Sequence, residues 1–404
     1  MSKINVEESM IHGSAAPAFQ EVGVEFKRNF TERGELGAAC AVYYEGKKVV
    51  DLWGGYRDDG TCSPWEEDTI VHVFSATKGL SALAIALAHS RGYFDYDQTV
   101  STYWPEFAEN GKGNITIREL LAHQAGLCAI DEQLSIDILS NSDRLSAILS
   151  KQTPAWTPGE YHGYHCYSLG WYENELIRRT DSKQRTIGQF FSEEIAGPLD
   201  VEFYIGTPPD IPENRIVNII DYSPLKMSFH LNKLTLKMMI SYFIPGSLAA
   251  RTLGNPKVGK PGDIVRPPYR EVEIPSYNGI GKVSSIAKLY GLFACKSPLL
   301  GVDKEVFSNL KRPSIQPNKS VKDKVLQIET SYSLGFMKFS PAMHIGNSEE
   351  CYGSPGYGGA IAFSDPNNQL GFAYAPSKMG YKPFNDPRAE ALTKAVYASV
   401  GFQD

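Results

Sequence analysis

Residues 73–92 read VFSATKGLSALAIALAHSRG. After Ser75 the apolar residues Leu80, Leu83, Ala84, Leu87 and Ala88 recur at helical spacing, and Gly92 behind Arg91 is a stop signal. Ser75 therefore stands at the start of a long helix, where backbone N–H groups and the helix dipole favour developing negative charge. Lys78 follows one turn later on the same face. The short residues Ala76, Ala82, Ala84, Ala86 and Ala88 let neighbouring elements approach closely, which suits a helix at the centre of a fold and draws Lys78 inward with it. A lysine with a pKa of about 10.4 in water becomes a usable base only when burial or nearby positive charge lowers that value.

The Ser-x-x-Lys spacing is not unique, since it also occurs at Ser223/Lys226, Ser285/Lys288 and Ser308/Lys311. Ser223 precedes a proline, Ser285 lies within an amphipathic helical pattern, and Ser308 leads into the Pro313 loop. Ordinary caps and solvated lysines account for these three. Ser75 and Lys78 are the expected nucleophile and general base.

Working outward, the chain of 404 residues is long enough for two domains or for one domain with a large insertion. A hydrophobic fraction of 42% and a charged fraction of 21% are those of a globular protein. The net charge of −6 offers no basic field for a polyanion, which argues against nucleic-acid binding. Residues 1–10 have neither a basic start nor an apolar run, and the apolar stretch Leu234 to Ala250 is interrupted by Lys237 and Pro245-Gly246. The expectation is a cytoplasmic protein without membrane insertion. Six cysteines lie far apart with no C-x-x-C pair and read as reduced thiols.

Ala16 to Arg33 has helical periodicity, and Ala38–Tyr44 with Lys48–Trp53 reads as a hairpin turning at Glu45-Gly46-Lys47. A second hairpin is expected from Gly359–Phe363 and Gln369–Ala375 around Asp365 to Asn368, with a last helix from about Asp386 to Val400. The expected fold class is α+β, an α/β sandwich. Strands from both ends of the chain (about 16–73 and 332–404) form one antiparallel sheet flanked by helices, and a large, mostly helical part (about 74–331) is inserted, all within a single domain over 1–404.

Val73-Phe74-Ser75-Ala76-Thr77-Lys78, together with Ile115-Thr116-Ile117-Arg118-Glu119-Leu120-Leu121-Ala122-His123-Gln124-Ala125-Gly126-Leu127, resembles the serine β-lactamase-related family of class C β-lactamases, D,D-peptidases and family VIII carboxylesterases. The resemblance runs from about Leu36 to Gly401 and implies that family's fold. It also implies a role for Tyr164, in Tyr161-His162-Gly163-Tyr164-His165-Cys166, as the tyrosine that relays protons beside the lysine. Cys166 stands where the family has asparagine. The third motif falls at Ser354-Pro355-Gly356, where neutral Ser354 replaces the family's cation. Both departures argue against β-lactams. Ser354, Gly356, Cys166 and the N–H groups of Tyr357 and Ser75 are implied as substrate-binding and oxyanion-hole elements, of which the backbone donors tolerate side-chain change.

No serine has glycine at both flanking second positions, which excludes the Gly-x-Ser-x-Gly elbow. His162, His165 and Cys166 lack a second distant ligand pair, so no metal is expected, and the glycine clusters do not fit a dinucleotide fingerprint. The expected function is a serine hydrolase acting through an acyl-enzyme on a small ester or amide, esterase-like, with no cofactor. The competing reading is a catalytically inactive relative used for binding or assembly. Retention of Ser75, Lys78 and Tyr164 together favours activity.

Overall fold

The computed structural model describes residues 6–222, 240–313 and 316–401. Ser223/Lys226 lie outside the described residues, as does the part before Ile240 of the Pro224 to Ala250 stretch, whose Phe229, Leu231, Leu234, Met238 and Met239 the sequence offers as a wall for an apolar substrate pocket. Among the described residues no helix is long and apolar enough to cross a membrane.

Both expected hairpins form. β2 (Gly37–Tyr44) and β3 (Lys47–Asp58) are joined by Glu45-Gly46 alone, both at positive φ (49° and 75°). Such a tight turn matches the twist of the strands it joins and leaves Lys47 in the ladder. Near the C-terminus β11 (Ile361–Asp365) pairs with β12 (Leu370–Pro376), and Asp365 Oδ1 accepts from the N–H groups of Asn367 and Asn368 to close the turn. β11 starts two residues later than its β-rich sequence suggests, because Gly358 and Gly359 at positive φ form a separate turn.

The two ends of the chain meet where β12 pairs antiparallel with β2, from Leu370 opposite Tyr44 to Pro376 opposite Ala38. β8 (Tyr332–Ser333), β9 (Phe336–Lys338) and β10 (Tyr352–Pro355) extend the sheet beyond β11. On the other side, β1 (Ile11–Ala15) lies against β3, an edge strand that the polar run His12-Gly13-Ser14 hides from periodicity analysis.

Successive residues of a strand point to opposite faces. Tyr44 packs on Phe19 at the entry to the Gln20–Thr31 helix, and Tyr43 lies against Gly291 of the Val283–Ala294 helix. Helices thus cover both faces of the sheet, as the sandwich expectation requires. A Cβ on Gly371 of β12 would sit 2.1 Å from Gly291 N, so only glycine permits this approach. The Pro387–Ser399 helix is pinned by Arg388, whose guanidinium bonds Glu35 and Asp386 at 3.0 Å each and Gly358 O at 3.2 Å.

The inserted part is mainly helical, with a short three-stranded sheet of β5 (Val71–His72), β7 (Gly279–Gly281) and β6 (Phe203–Ile205) that the helical expectation did not include. Two glycines in three residues conceal β7, and they are needed because Thr77 and Phe203 press on it. The Thr77–Ser90 helix runs through the middle with every residue from Thr77 to Ala88 buried. Close packing is the reason, since a Cβ on Gly79 would overlap the Tyr290 hydroxyl at 1.8 Å.

Candidate active site

Ser75 sits in a short turn, Phe74–Ala76, immediately before the central helix. Phe74 is held at φ 49°, a left-handed conformation that costs a non-glycine residue about 1–3 kcal/mol and persists only when its surroundings enforce it. Four hydrogen bonds enforce it. Val73 N–H bonds Gly279 O of β7 at 3.0 Å, Thr77 Oγ1 donates to Phe74 O at 2.5 Å while accepting from Gly279 N at 2.9 Å, and Ser354 Oγ of β10 donates to Ser75 O at 2.7 Å. Gly356 lets β10 close in, for a Cβ there would be 2.2 Å from Val73 O.

Lys78 is completely buried. Its Nζ donates to Cys166 O at 2.6 Å and to Ser276 O at 2.8 Å, and its third direction points at Ser75 Oγ, 3.5 Å away. Burial lowers its pKa to about 8 against the opposing fields of Cys166 and Glu173. Once neutral, the amine keeps two hydrogens for the two carbonyls and turns its lone pair to the serine.

Tyr164 completes the group. It is buried, and its ring lies 4.6 Å from Lys78 Nζ, which itself points at Ser75 Oγ. Burial pushes its phenol well above the usual range, so it is a neutral donor. The loop that carries it is fixed by His123, held at φ 59°, whose Nδ1 accepts from His165 N at 2.9 Å and whose carbonyl accepts from Gly163 N at 3.1 Å. His165 spends both ring nitrogens on backbone, Nδ1 donating to Gly163 O at 2.6 Å and Nε2 accepting from Leu127 N at 3.0 Å. Burial lowers its pKa to about 3, so it stays neutral. His162 bonds Val321 O at 2.7 Å.

All seven residues singled out from the sequence meet here, but two of them serve differently from expectation. Ser354 is fully buried with its hydroxyl on the carbonyl of Ser75, so it braces the turn instead of facing a substrate. Cys166 contributes its carbonyl to Lys78, a contact that asparagine or cysteine makes equally well, and its thiol is raised by burial to about 11 and remains protonated.

Several residues escaped sequence reasoning. Ser276 supplies the second carbonyl and donates its own hydroxyl to Tyr167 O at 2.6 Å, tying together the two loops around Lys78. Every residue has a carbonyl, so no residue type marks this role. Phe74, Tyr167, Tyr277 and Tyr357 form an aromatic cluster next to the serine turn, with ring centroids 4.8 Å apart for Tyr167–Tyr277, 5.5 Å for Phe74–Tyr277 and 6.3 Å for Phe74–Tyr357. Glu173, on the Ser168–Thr180 helix, is fully buried in the field of Lys78. Burial pushes its carboxyl well above the ordinary range, against the field of Lys78.

Chemically, this is a hydroxyl on a strained helix entry with a desolvated amine and a neutral phenol within reach, which is the equipment for removing a proton from the hydroxyl and returning it to a leaving group. A β-lactamase family model matches residues 26–397. The chain is 30% identical over 383 residues to the esterase/β-lactamase LipL of Mycobacterium tuberculosis (strain ATCC 25618 / H37Rv), covering 91% of this chain and 83% of that protein. Its fold superimposes on a family VIII carboxylesterase with a TM-score of 0.84 at 31% identity, covering 96% of this chain and 99% of the other. A penicillin-binding protein homologue from Caulobacter crescentus gives a TM-score of 0.80 at 32% identity, with the same coverage. The likeness supports a hydrolase, and on the combined evidence of motif, architecture and full-length similarity the chain belongs to the β-lactamase family.

Proposed function

We propose that the protein is a serine hydrolase that forms an acyl-enzyme on a small, uncharged ester or amide. The observation that carries this reading is the placement of Lys78, whose Nζ is anchored by two carbonyls and left with one direction open, toward Ser75 Oγ. In the first half-reaction Ser75 Oγ bonds to the substrate carbonyl carbon as its proton passes to neutral Lys78. The bond to the leaving group then breaks, and the departing oxygen or nitrogen takes a proton through Tyr164. Water repeats the sequence in reverse, with the N–H groups of Ser75 and Tyr357 facing the oxyanion in both halves. No step calls for a metal or cofactor.

Substrate charge follows from the third motif. Ser354 is neutral and spends its hydroxyl on Ser75 O, and the rings of Phe74, Tyr167, Tyr277 and Tyr357 cluster beside the serine turn. This favours uncharged esters over carboxylate-bearing β-lactams. The test is turnover of p-nitrophenyl acetate and of a chromogenic cephalosporin by the wild type and Ser75→Ala. Ester turnover that falls to background in Ser75→Ala is expected. Turnover that survives the substitution, or a preference for the cephalosporin, would contradict the proposal.

A further inference from the structure

Large apolar side chains are exposed in one short segment beside the aromatic cluster. Ile240, Tyr242, Phe243 and Ile244 are 53%, 41%, 68% and 52% exposed. The segment is a helical turn: residues 240–243 are helical, and Ile244 N–H bonds Ile240 O at 3.1 Å. Ser247 Oγ bonds Ser241 O and accepts from Ala250 N at 3.1 Å, capping the Leu248–Leu253 helix, which anchors in the core through Ala249. Tyr242 packs edge-on against Phe243 at 5.3 Å and acts electrostatically on both Tyr167 and Tyr357. The exposed turn therefore lies within electrostatic reach of the aromatic cluster beside the serine turn.

Charge in this part of the sequence is one-sided. From Tyr222 to Gly262 there is no Asp or Glu in a chain whose net charge is −6, and of the cations in the described part Arg251 is paired with Asp131 while Lys257 and Lys260 are in no ion pair among the described residues. Lys257 and Lys260 are exposed. Apolar side chains projecting from a short turn, with cations and no carboxylates in the surrounding sequence, are what binds at the boundary between headgroups and acyl chains of an anionic lipid layer. A groove for one extended chain would enclose these side chains, whereas they project outward.

We propose that the Ile240–Ile244 turn docks the protein on an anionic lipid surface, with the mouth of the site facing that surface, so that the esters reaching Ser75 are apolar ones presented from it. The substrate half of this inference rests on the hydrolase reading; the docking half does not. The test is sedimentation with vesicles of phosphatidylcholine alone and of phosphatidylcholine containing about 30 mol% phosphatidylglycerol. The wild type, Ser75→Ala and the double variant Phe243→Ser with Ile244→Ser are compared, and p-nitrophenyl acetate turnover is read in parallel. The expected result is binding to the anionic vesicles by the wild type and Ser75→Ala alike, weakened at least about tenfold in the double variant, whose turnover of the soluble ester is unchanged. Absence of wild-type binding, equal binding by the double variant, or a dimer that the double substitution dissociates without any vesicle binding would overturn the docking inference. Vesicle binding without ester turnover would overturn the hydrolase reading alone.

Discussion

Lys78 and Lys112 are both completely buried, and burial lowers the pKa of each to about 8. Their surroundings differ at one position. Lys112 Nζ donates to three carbonyls, of Glu109, Ser150 and Gln152, at 2.7 to 2.9 Å, and so closes off the end of a helical segment with all of its hydrogens used. Lys78 has two carbonyls and, in the third direction, a serine hydroxyl. A depressed proton affinity therefore does not mark a base here; what marks it is an acceptor set left one short, with a nucleophile in the gap. Arg388 shows the opposite treatment of a buried cation. Burial works against its charge, but Glu35, Tyr374 and Asp386 outweigh that effect and hold it charged.

The largest effect that separates the two lysines is on turnover. Lys78→Met should lower kcat for ester hydrolysis at least about a thousandfold, and Lys112→Met should leave it within about threefold. Similar losses in both variants, at matched folded fraction by circular dichroism, would erase the distinction. Arg388→Met should act on stability instead, costing about 3–5 kcal/mol in denaturant unfolding, because Glu35 and Asp386 would be left as uncompensated buried acids.

The pH dependence sharpens the same point. As the proposed base Lys78 must be neutral, and its pKa is lowered to about 8, so kcat/KM should climb about tenfold per pH unit below that value and level off above it. A profile flat from pH 6 to 9 would mean that Lys78 does not gate the reaction. A small change is expected for Ser354→Ala, which removes the donor to Ser75 O and should cost about 1 kcal/mol of stability and less than tenfold in kcat. A complete loss of activity there would restore Ser354 to a substrate-facing role.

The contrast between the lysines also shows where sequence reading stops. The Ser75/Lys78 pair was legible because an alanine-rich helix with a defined start forces the lysine into the interior, and the two hairpins because Glu45-Gly46 and Asp365 to Asn368 carry turn chemistry. Tyr164 was legible through family resemblance, since by itself it is one buried aromatic among many. Lys112 gave no signal, because its burial depends on the carbonyls of Ser150 and Gln152, which fold back from far along the chain. The same holds for Ser276 against Lys78, and β7 was hidden by the glycines that let it fit. Contacts made by backbone groups across long sequence separations leave no mark on residue type, and here they distinguish the proposed base from a structural cap.

The central claim is that the open direction of Lys78 makes Ser75 the nucleophile. Its most direct test is exposure of the native protein to a fluorophosphonate, with the adduct mapped by peptide mass spectrometry in the wild type and in Lys78→Met. The account predicts a single adduct on Ser75 in the wild type and at least about a hundredfold slower labelling in Lys78→Met. No adduct on Ser75 in the folded wild type, or equally fast labelling without the lysine, would contradict it.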